Sequence, residues 1–183
     1  PILIVIARTP GAETIISKAI YFKTAIIIHV NLTVLVWFLA FAGIFWTINT
    51  TEQKISVAWG ALITCTLGML IFTFSPFFGA LNPLMNNYIP IIDDPIFKIG
   101  LSMCGAGFAV LVARELIFSQ SIGLQLDGEA VLRIGLYTAL LAAVGAIFAL
   151  VATFLVIPDD HQETAFFETL FWAINVFLFQ LHL

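Results

Sequence analysis

Three histidines are the side chains in this sequence with the clearest chemical potential, because the chain is otherwise poor in charged and reactive groups. His29 lies inside an uncharged apolar stretch, where an ionisable side chain is costly and usually faces the protein interior. A neutral imidazole in that position could be an axial ligand to heme iron. The alternative is a histidine whose ring nitrogens are hydrogen-bonded within the protein, for example to Thr33 one turn further on.

Two other histidines and one acid are weaker candidates. His182 lies near the chain end and could bind a metal only with donors from elsewhere, because copper or zinc needs three or four ligands. His161 lies in an acidic loop, where it could hold a surface cation, although an ordinary loop histidine is the simpler interpretation. Glu168 begins the last apolar stretch, either as a carboxylate in a proton path or as an acid favoured by the helix dipole.

The composition excludes a water-soluble fold. Hydrophobic residues make up 61% of the chain and charged residues 10%, and the mean hydropathy is +1.09. The 18 Phe and 4 Trp cannot all be hidden in a core formed by 183 residues, so lipid must cover much of the surface. The net charge of −4 and the lack of a basic run argue against nucleic-acid binding. The sequence therefore predicts an integral membrane protein surrounded by lipid.

Uncharged stretches predict the membrane-spanning helices, since about 20 residues are needed to cross roughly 30 Å of hydrocarbon. Barrel strands would be half as long and would alternate in polarity. We predict an all-α, polytopic transmembrane helical bundle that forms a single domain over residues 1–183, with residues 1–7 as the end of a preceding helix. The predicted spans are about 24–47, 55–74, 95–113, 134–157 and 166–183.

The segments between and within these spans carry further expectations. Residues 13–23 suit either a short interfacial helix or a solvated helix start. The apolar loop 82–90 is expected to pack over the end of the bundle, where its amides could cover a cofactor edge. Arg114 and Glu115 are expected to mark the membrane interface at the end of the third span. The glycines of residues 100–107 permit close helix contact.

The two cysteines, Cys65 and Cys104, each lie in an apolar segment without a second Cys or His at ligand spacing. We interpret both as buried small hydrophobic residues. No Ser/His/Asp set, phosphate-binding loop or paired carboxylates on one helix face are recognisable, so a hydrolase is not supported.

The run from His29 to Gly43, HVNLTVLVWFLAFAG, resembles the second helix of subunit I of the heme-copper oxidases. The similarity is to a divergent bacterial branch related to cytochrome c oxidase and nitric oxide reductase. Two shorter stretches agree, NNYIP at residues 86–90 and FETLFW at residues 167–172. The resemblance covers nearly the whole chain but only the N-terminal half of such a subunit.

The resemblance implies that His29 is an axial ligand of a heme, b-type or similar, lying toward the outer face of the membrane. The second axial ligand and most copper ligands would come from later helices. Val176 stands where the family pattern has a copper-ligating histidine. His182 could replace it only if the helix register shifted by more than a turn, which leaves a copper centre doubtful.

Two functions follow as alternatives. The first is heme-binding electron transfer in a respiratory complex of the bacterial inner membrane, as part of a terminal oxidase if the centre is active. It implies other membrane subunits, or an absent C-terminal half, as partners. A cytochrome c could dock on the acidic residues of loop 158–163 together with Asp93 and Asp94, unless these acids only solubilise the loops. The second is a non-catalytic accessory or structural subunit that contributes helix surface to a larger membrane complex.

Overall fold

The structure of the chain is a computed structural model that describes most of the first 156 residues. The described residues are 4–5, 9–11, 19–49, 54–85, 90–118 and 128–156, with single residues at positions 158, 161, 165 and 168.

Helices dominate the described residues. The α-helices are α1 (Ala19–Val30), α2 (Trp37–Asn49), α3 (Ile55–Phe74), α4 (Pro95–Phe118) and α5 (Gly128–Val156). A π-helical turn, Asn31–Val36, joins α1 to α2 in one continuous helix, and a 3-10 turn, Ser75–Phe78, follows α3. Two short antiparallel strands, β1 (Pro83–Leu84) and β2 (Ile91–Ile92), pair between α3 and α4.

Three of these helices are long and apolar enough to cross a membrane, so the chain is a helical membrane protein. Within the described residues these spans are Ile20–Ile44, Ile55–Phe78 and Pro95–Phe118. Each of them overlaps one of the first three predicted spans, with different ends. The fourth predicted span falls on α5, whose described apolar run is Leu140–Ala149. The fifth, 166–183, lies outside the described residues except for Glu168, so it stays a prediction.

The predicted end of the third span was wrong. We expected Arg114 and Glu115 to lie at the interface after Ala113, but α4 continues to Phe118 and both charged side chains are buried. The two side chains pair with each other, and protein rather than water surrounds them. A charged pair that is shielded by neighbouring protein can remain inside a helix, so charge alone did not mark its end.

Glycine residues allow the backbones of α3 and α4 to come into direct contact. A Cβ atom added to Gly68 would lie 2.4 Å from the backbone nitrogen of Cys104, and one added to Gly107 would lie 2.8 Å from that of Cys65. In lipid, helices associate by such close packing because no hydrophobic force drives them together. The expected close contact at residues 100–107 is therefore confirmed.

Two apolar clusters connect this helix pair to the rest of the bundle. One lies at the strand end and includes Phe72 and Phe97, whose rings meet edge to face at 5.6 Å between centroids. The other lies toward the far end and joins α2, α4 and α5 through Ala42, Val112 and Leu140. The continuous α1–α2 helix and α4 each contribute residues to both clusters, in the same order along the chain. These two helices therefore run parallel to each other.

We predict that Gly68→Ala lowers the thermal unfolding midpoint of the protein in detergent. The added methyl group would collide with the backbone of α4, and such overpacking costs about 1–3 kcal/mol. Gly60→Ala is the matched control on the same helix, because nothing lies within 4 Å of a Cβ atom there. The control should be neutral or slightly stabilising, since Ala favours a helix over Gly by about 1 kcal/mol. Equal midpoints for the two variants would contradict the packing described here.

Candidate functional site

His29 occupies the next-to-last position of α1, well inside the first membrane-spanning helix. It lies nine residues after Ile20, which corresponds to about 14 Å of helix at 1.5 Å per residue. Its Nδ1 atom is buried and has no hydrogen-bond partner among the described residues. A buried polar atom without a partner is unusual in a folded protein and calls for a specific explanation.

The His29 side chain lies on the face of α1 that turns away from the core. Ile27, Ile28 and Asn31 are buried, and Ile27 and Ile28 belong to the cluster at the strand end. His29 is two residues from both Ile27 and Asn31, a rotation of roughly 200° on an α-helix. By helical spacing, His29 therefore lies on a different side of α1 from the buried Ile27 and Asn31.

Thr33 does not satisfy the His29 ring, which was the alternative to ligation. Its hydroxyl donates instead to the backbone carbonyl of His29 at 2.7 Å, with a longer contact of 3.4 Å to the carbonyl of Val30. The Nδ1 atom of the ring stays without a partner. The Nδ1 side of the imidazole therefore makes no hydrogen bond with the described residues.

The π-helical turn begins two residues after His29. The backbone N–H of Trp37 donates to the carbonyl of Leu32, a step of five residues. Such wide turns are rare and are frequent at functional sites. Sequence reasoning missed it, because every residue from Leu32 to Val36 suits an ordinary apolar helix and no proline or glycine signals a break.

Asn31 fastens this turn to the strand pair. Its side-chain nitrogen donates to the carbonyl of Ile27 at 2.9 Å and to the carbonyl of Pro90 at 2.8 Å. The side chain is 1% exposed, and its Oδ1 atom has no hydrogen-bond partner. Sequence reasoning did not single out Asn31, although a lone amide in an apolar span was the signal that could have identified it.

Of the apolar loop 82–90, the described Leu84 packs against the cluster at the strand end and Pro90 is buried. Ile91 and Ile92 are fully buried against residues of α1, α3 and α4. The backbone N–H of Asp93 donates to the carbonyl of Asn82, which extends the strand pairing. Residues 86–89, whose amides were expected near a cofactor edge, lie outside the described residues.

Two acids of the predicted docking region have structural contacts of their own. Asp93 accepts a hydrogen bond from Lys98 at 2.6 Å and one from Asn82 at 3.3 Å. Asp94 accepts one from the backbone N–H of Ile96 at 2.8 Å, and so it caps the start of α4. Any docking role therefore depends mainly on loop 158–163, of which positions 158 and 161 are described.

The other candidates are placed as follows. His161 and Glu168 are exposed, and neither placement tests the cation or proton roles considered for them. His182 lies outside the described residues. In the part of the chain that the structure describes, no three His, Cys, Asp or Glu side chains cluster as a metal site. Cys104 is buried, and the thiol of the half-buried Cys65 donates to its carbonyl at 3.2 Å, as expected for small core residues.

The buried pair Arg114 and Glu115 is a second polar feature of the membrane interior. Both residues are at least 96% buried, and Arg114 donates to the Glu115 carboxylate. The pair lies near the opposite end of the bundle from His29, because Val112 packs at the level of Ala42. The adjacent charges in an otherwise uncharged stretch were visible in the sequence but were assigned to the interface.

No protein-family profile and no solved structure matches the chain. The chain is similar to an uncharacterised protein of Aquifex aeolicus (strain VF5), with 29% identity over 171 residues that cover 93% of this chain and 42% of that protein. It is also similar to an uncharacterised protein of Rickettsia prowazekii (strain Madrid E), with 31% identity over 128 residues that cover 57% of this chain and 25% of that protein. The chain thus spans less than half the length of these relatives. Their names assign no activity, so the function is argued from the residues.

We predict that Glu115→Gln and Arg114→Met each destabilise the protein strongly. Replacing either side chain deletes the buried ion pair while the other charge stays buried, which costs about 3–5 kcal/mol. Lys98→Met is the matched control, because Lys98 and Asp93 form an ion pair whose side chains are 41% and 40% exposed. Such a surface pair is worth roughly 0–1 kcal/mol. Thermal unfolding in detergent measures the stability of all three variants. A loss of stability in Lys98→Met as large as that in Glu115→Gln would contradict the buried pairing.

Proposed function

We propose that this chain is a heme-binding part of a membrane oxidoreductase, resembling the N-terminal half of heme-copper oxidase subunit I, with His29 as an axial ligand of the heme iron. One observation carries the proposal. The His29 imidazole lies within a membrane-spanning helix and has a buried ring nitrogen without a partner. A ligand to a metal or cofactor is a direct explanation for an uncommitted histidine in this position.

The residues present fit one half of a heme site. Heme iron is held by imidazole nitrogen in many proteins and supplies one-electron transfer when bound. His29 would donate a nitrogen lone pair to the iron from within a membrane-spanning helix. A second axial ligand has to come from residues outside the described part or from another chain.

The same proposal includes five membrane spans, a location in the bacterial inner membrane and association with other membrane subunits or a C-terminal half. A cytochrome c as electron donor would approach the side of loop 158–163. A copper centre is not included, because Val176 replaces the expected histidine and His182 would need a shifted register.

The alternative function, a non-catalytic accessory subunit, has an observation of its own. Many large apolar side chains are exposed along the helices, including Trp37 (61% exposed) and Phe148 (73% exposed). Such surfaces suit partner helices as well as lipid tails. A subunit of this kind would bind no redox centre, and this separates the two functions experimentally.

We predict that the protein purified from membranes shows a reduced-minus-oxidised heme absorption signal that His29→Ala abolishes. The imidazole is the bond that holds the iron, so its loss should remove the signal while the helices remain. His161→Ala is the matched control, because that histidine is exposed, and its signal should equal that of the wild type. Circular dichroism checks that both variants keep their helices. A wild type without a heme signal would favour the accessory function, and an unchanged signal in His29→Ala would exclude His29 as the ligand.

A further inference from the structure

The two cysteines of the chain meet at the contact between α3 and α4, although 39 residues separate them in the sequence. The Cys65 thiol donates to the backbone carbonyl of Cys104 at 3.2 Å. The two thiol side chains also interact directly with each other. Both are free thiols. The fold therefore brings together the only two cysteines that the sequence contains.

The glycine contacts fix the register of the two helices at this point. A Cβ atom on Gly68 would lie 2.6 Å from the Gly100 carbonyl oxygen and 2.4 Å from the Cys104 nitrogen, so Gly68 faces α4 midway between these two residues. A Cβ atom on Gly107 would lie 2.8 Å from the Cys65 nitrogen, which shows that the helices run antiparallel. Counting three residues back from Gly68 places Cys65 within about one residue, or roughly 1.5 Å, of the level of Cys104.

This arrangement matches the geometry that a disulfide bond requires. A disulfide joins two Cα atoms that are roughly 4.4–6.8 Å apart. Helix axes are usually about 8–10 Å apart, but backbones that touch through glycine bring residues at one level closer together. The Cys65 side chain already crosses the contact, since its thiol reaches the carbonyl of Cys104. Rotation of the two side chains is therefore enough to join the sulfur atoms.

The two thiols differ in their exposure. Cys104 is 5% exposed and belongs to the apolar cluster at the strand end, whereas Cys65 is half-buried and lies next to the exposed Thr66. Both cysteines lie near the middle of their membrane-spanning helices, where there is no water. A reagent therefore reaches Cys65 first, and it has to dissolve in hydrocarbon.

We propose that Cys65 and Cys104 form a redox-active thiol pair that lipid hydroperoxides oxidise to a disulfide, which locks α3 to α4. The Cys65 sulfur attacks the terminal peroxide oxygen, the O–O bond breaks, and the lipid leaves as its alcohol while Cys65 becomes a sulfenic acid. The Cys104 sulfur then attacks the Cys65 sulfur, and the S–O bond breaks with release of water. In total, the two thiols lose two electrons and two protons, and the hydroperoxide gains them. This pair acts independently of the proposed heme ligation.

The test is oxidation of the purified protein in vesicles of saturated phosphatidylcholine by cumene hydroperoxide, an apolar hydroperoxide. Maleimide labelling after denaturation should fall from two thiols to none, and the intact mass should fall by that of two hydrogen atoms. Dithiothreitol should restore both values. The thermal unfolding midpoint of the oxidised protein should exceed that of the reduced protein, because a disulfide between distant residues restricts the unfolded chain.

Cys65→Ala combined with Thr66→Cys is the matched control. It keeps two thiols in the chain but moves the one on α3 by a single residue, about 100° around the helix, to an exposed position. Cys104 should stay free in this variant, and circular dichroism checks that the helices are retained.

Three outcomes would overturn the inference. The first is an oxidised wild type that keeps two free thiols. The second is a sulfinic acid at Cys65 beside a free Cys104, since the second thiol would then not resolve the first. The third is an equal yield of disulfide in the wild type and the control, because the register of the two helices would then play no part.

Discussion

Backbone hydrogen bonding is the constraint on which the rest of this structure depends, because hydrocarbon offers no water to an N–H or C=O group. Regular helices satisfy these groups internally, so each departure from regular geometry needs a side-chain partner. The Asn31 amide covers the carbonyl of Pro90 where the chain leaves the helices. The Thr33 hydroxyl covers the carbonyl of His29 in the π turn, and the Ser75 hydroxyl covers that of Phe72 where α3 tightens.

The glycine contact between α3 and α4 provides the platform for the remaining helices. Gly68 and Gly107 allow the two backbones to touch, so this pair has little freedom to slide or separate. The α1–α2 helix then has to meet α4 at two levels, near Phe97 and near Val112. The π turn Asn31–Val36 lies between these two levels, in the helix that spans both.

Composition and segment length were enough to predict the helices from the sequence. Features that depend on contacts between distant residues could not be predicted in this way. Lys54 and the uncharged run after it were enough to locate α3, and Pro95 correctly marked the start of α4. Arg114 and Glu115 were assigned to the membrane interface because the sequence does not show that the two side chains pair with each other and are buried. The π turn had no recognisable signal, since Asn31–Val36 contains no proline or glycine. For the candidate site, His29 was identified from its depth, whereas Asn31 gained its role only through Pro90, 59 residues away.

The contrast between His29 and Asn31 explains why the histidine is the stronger functional candidate. Both carry a buried polar atom without a partner, and each such atom costs about 1–3 kcal/mol. Asn31 offsets this cost, because its nitrogen makes two hydrogen bonds that fasten the helix to the strand pair. The His29 imidazole faces away from that core, so in the described part of the chain it contributes no comparable fastening. An apolar residue at position 29 would fit the same outer face without the penalty. The proposed heme ligation would give this ring nitrogen a partner inside the membrane, where an unpaired polar group is costly.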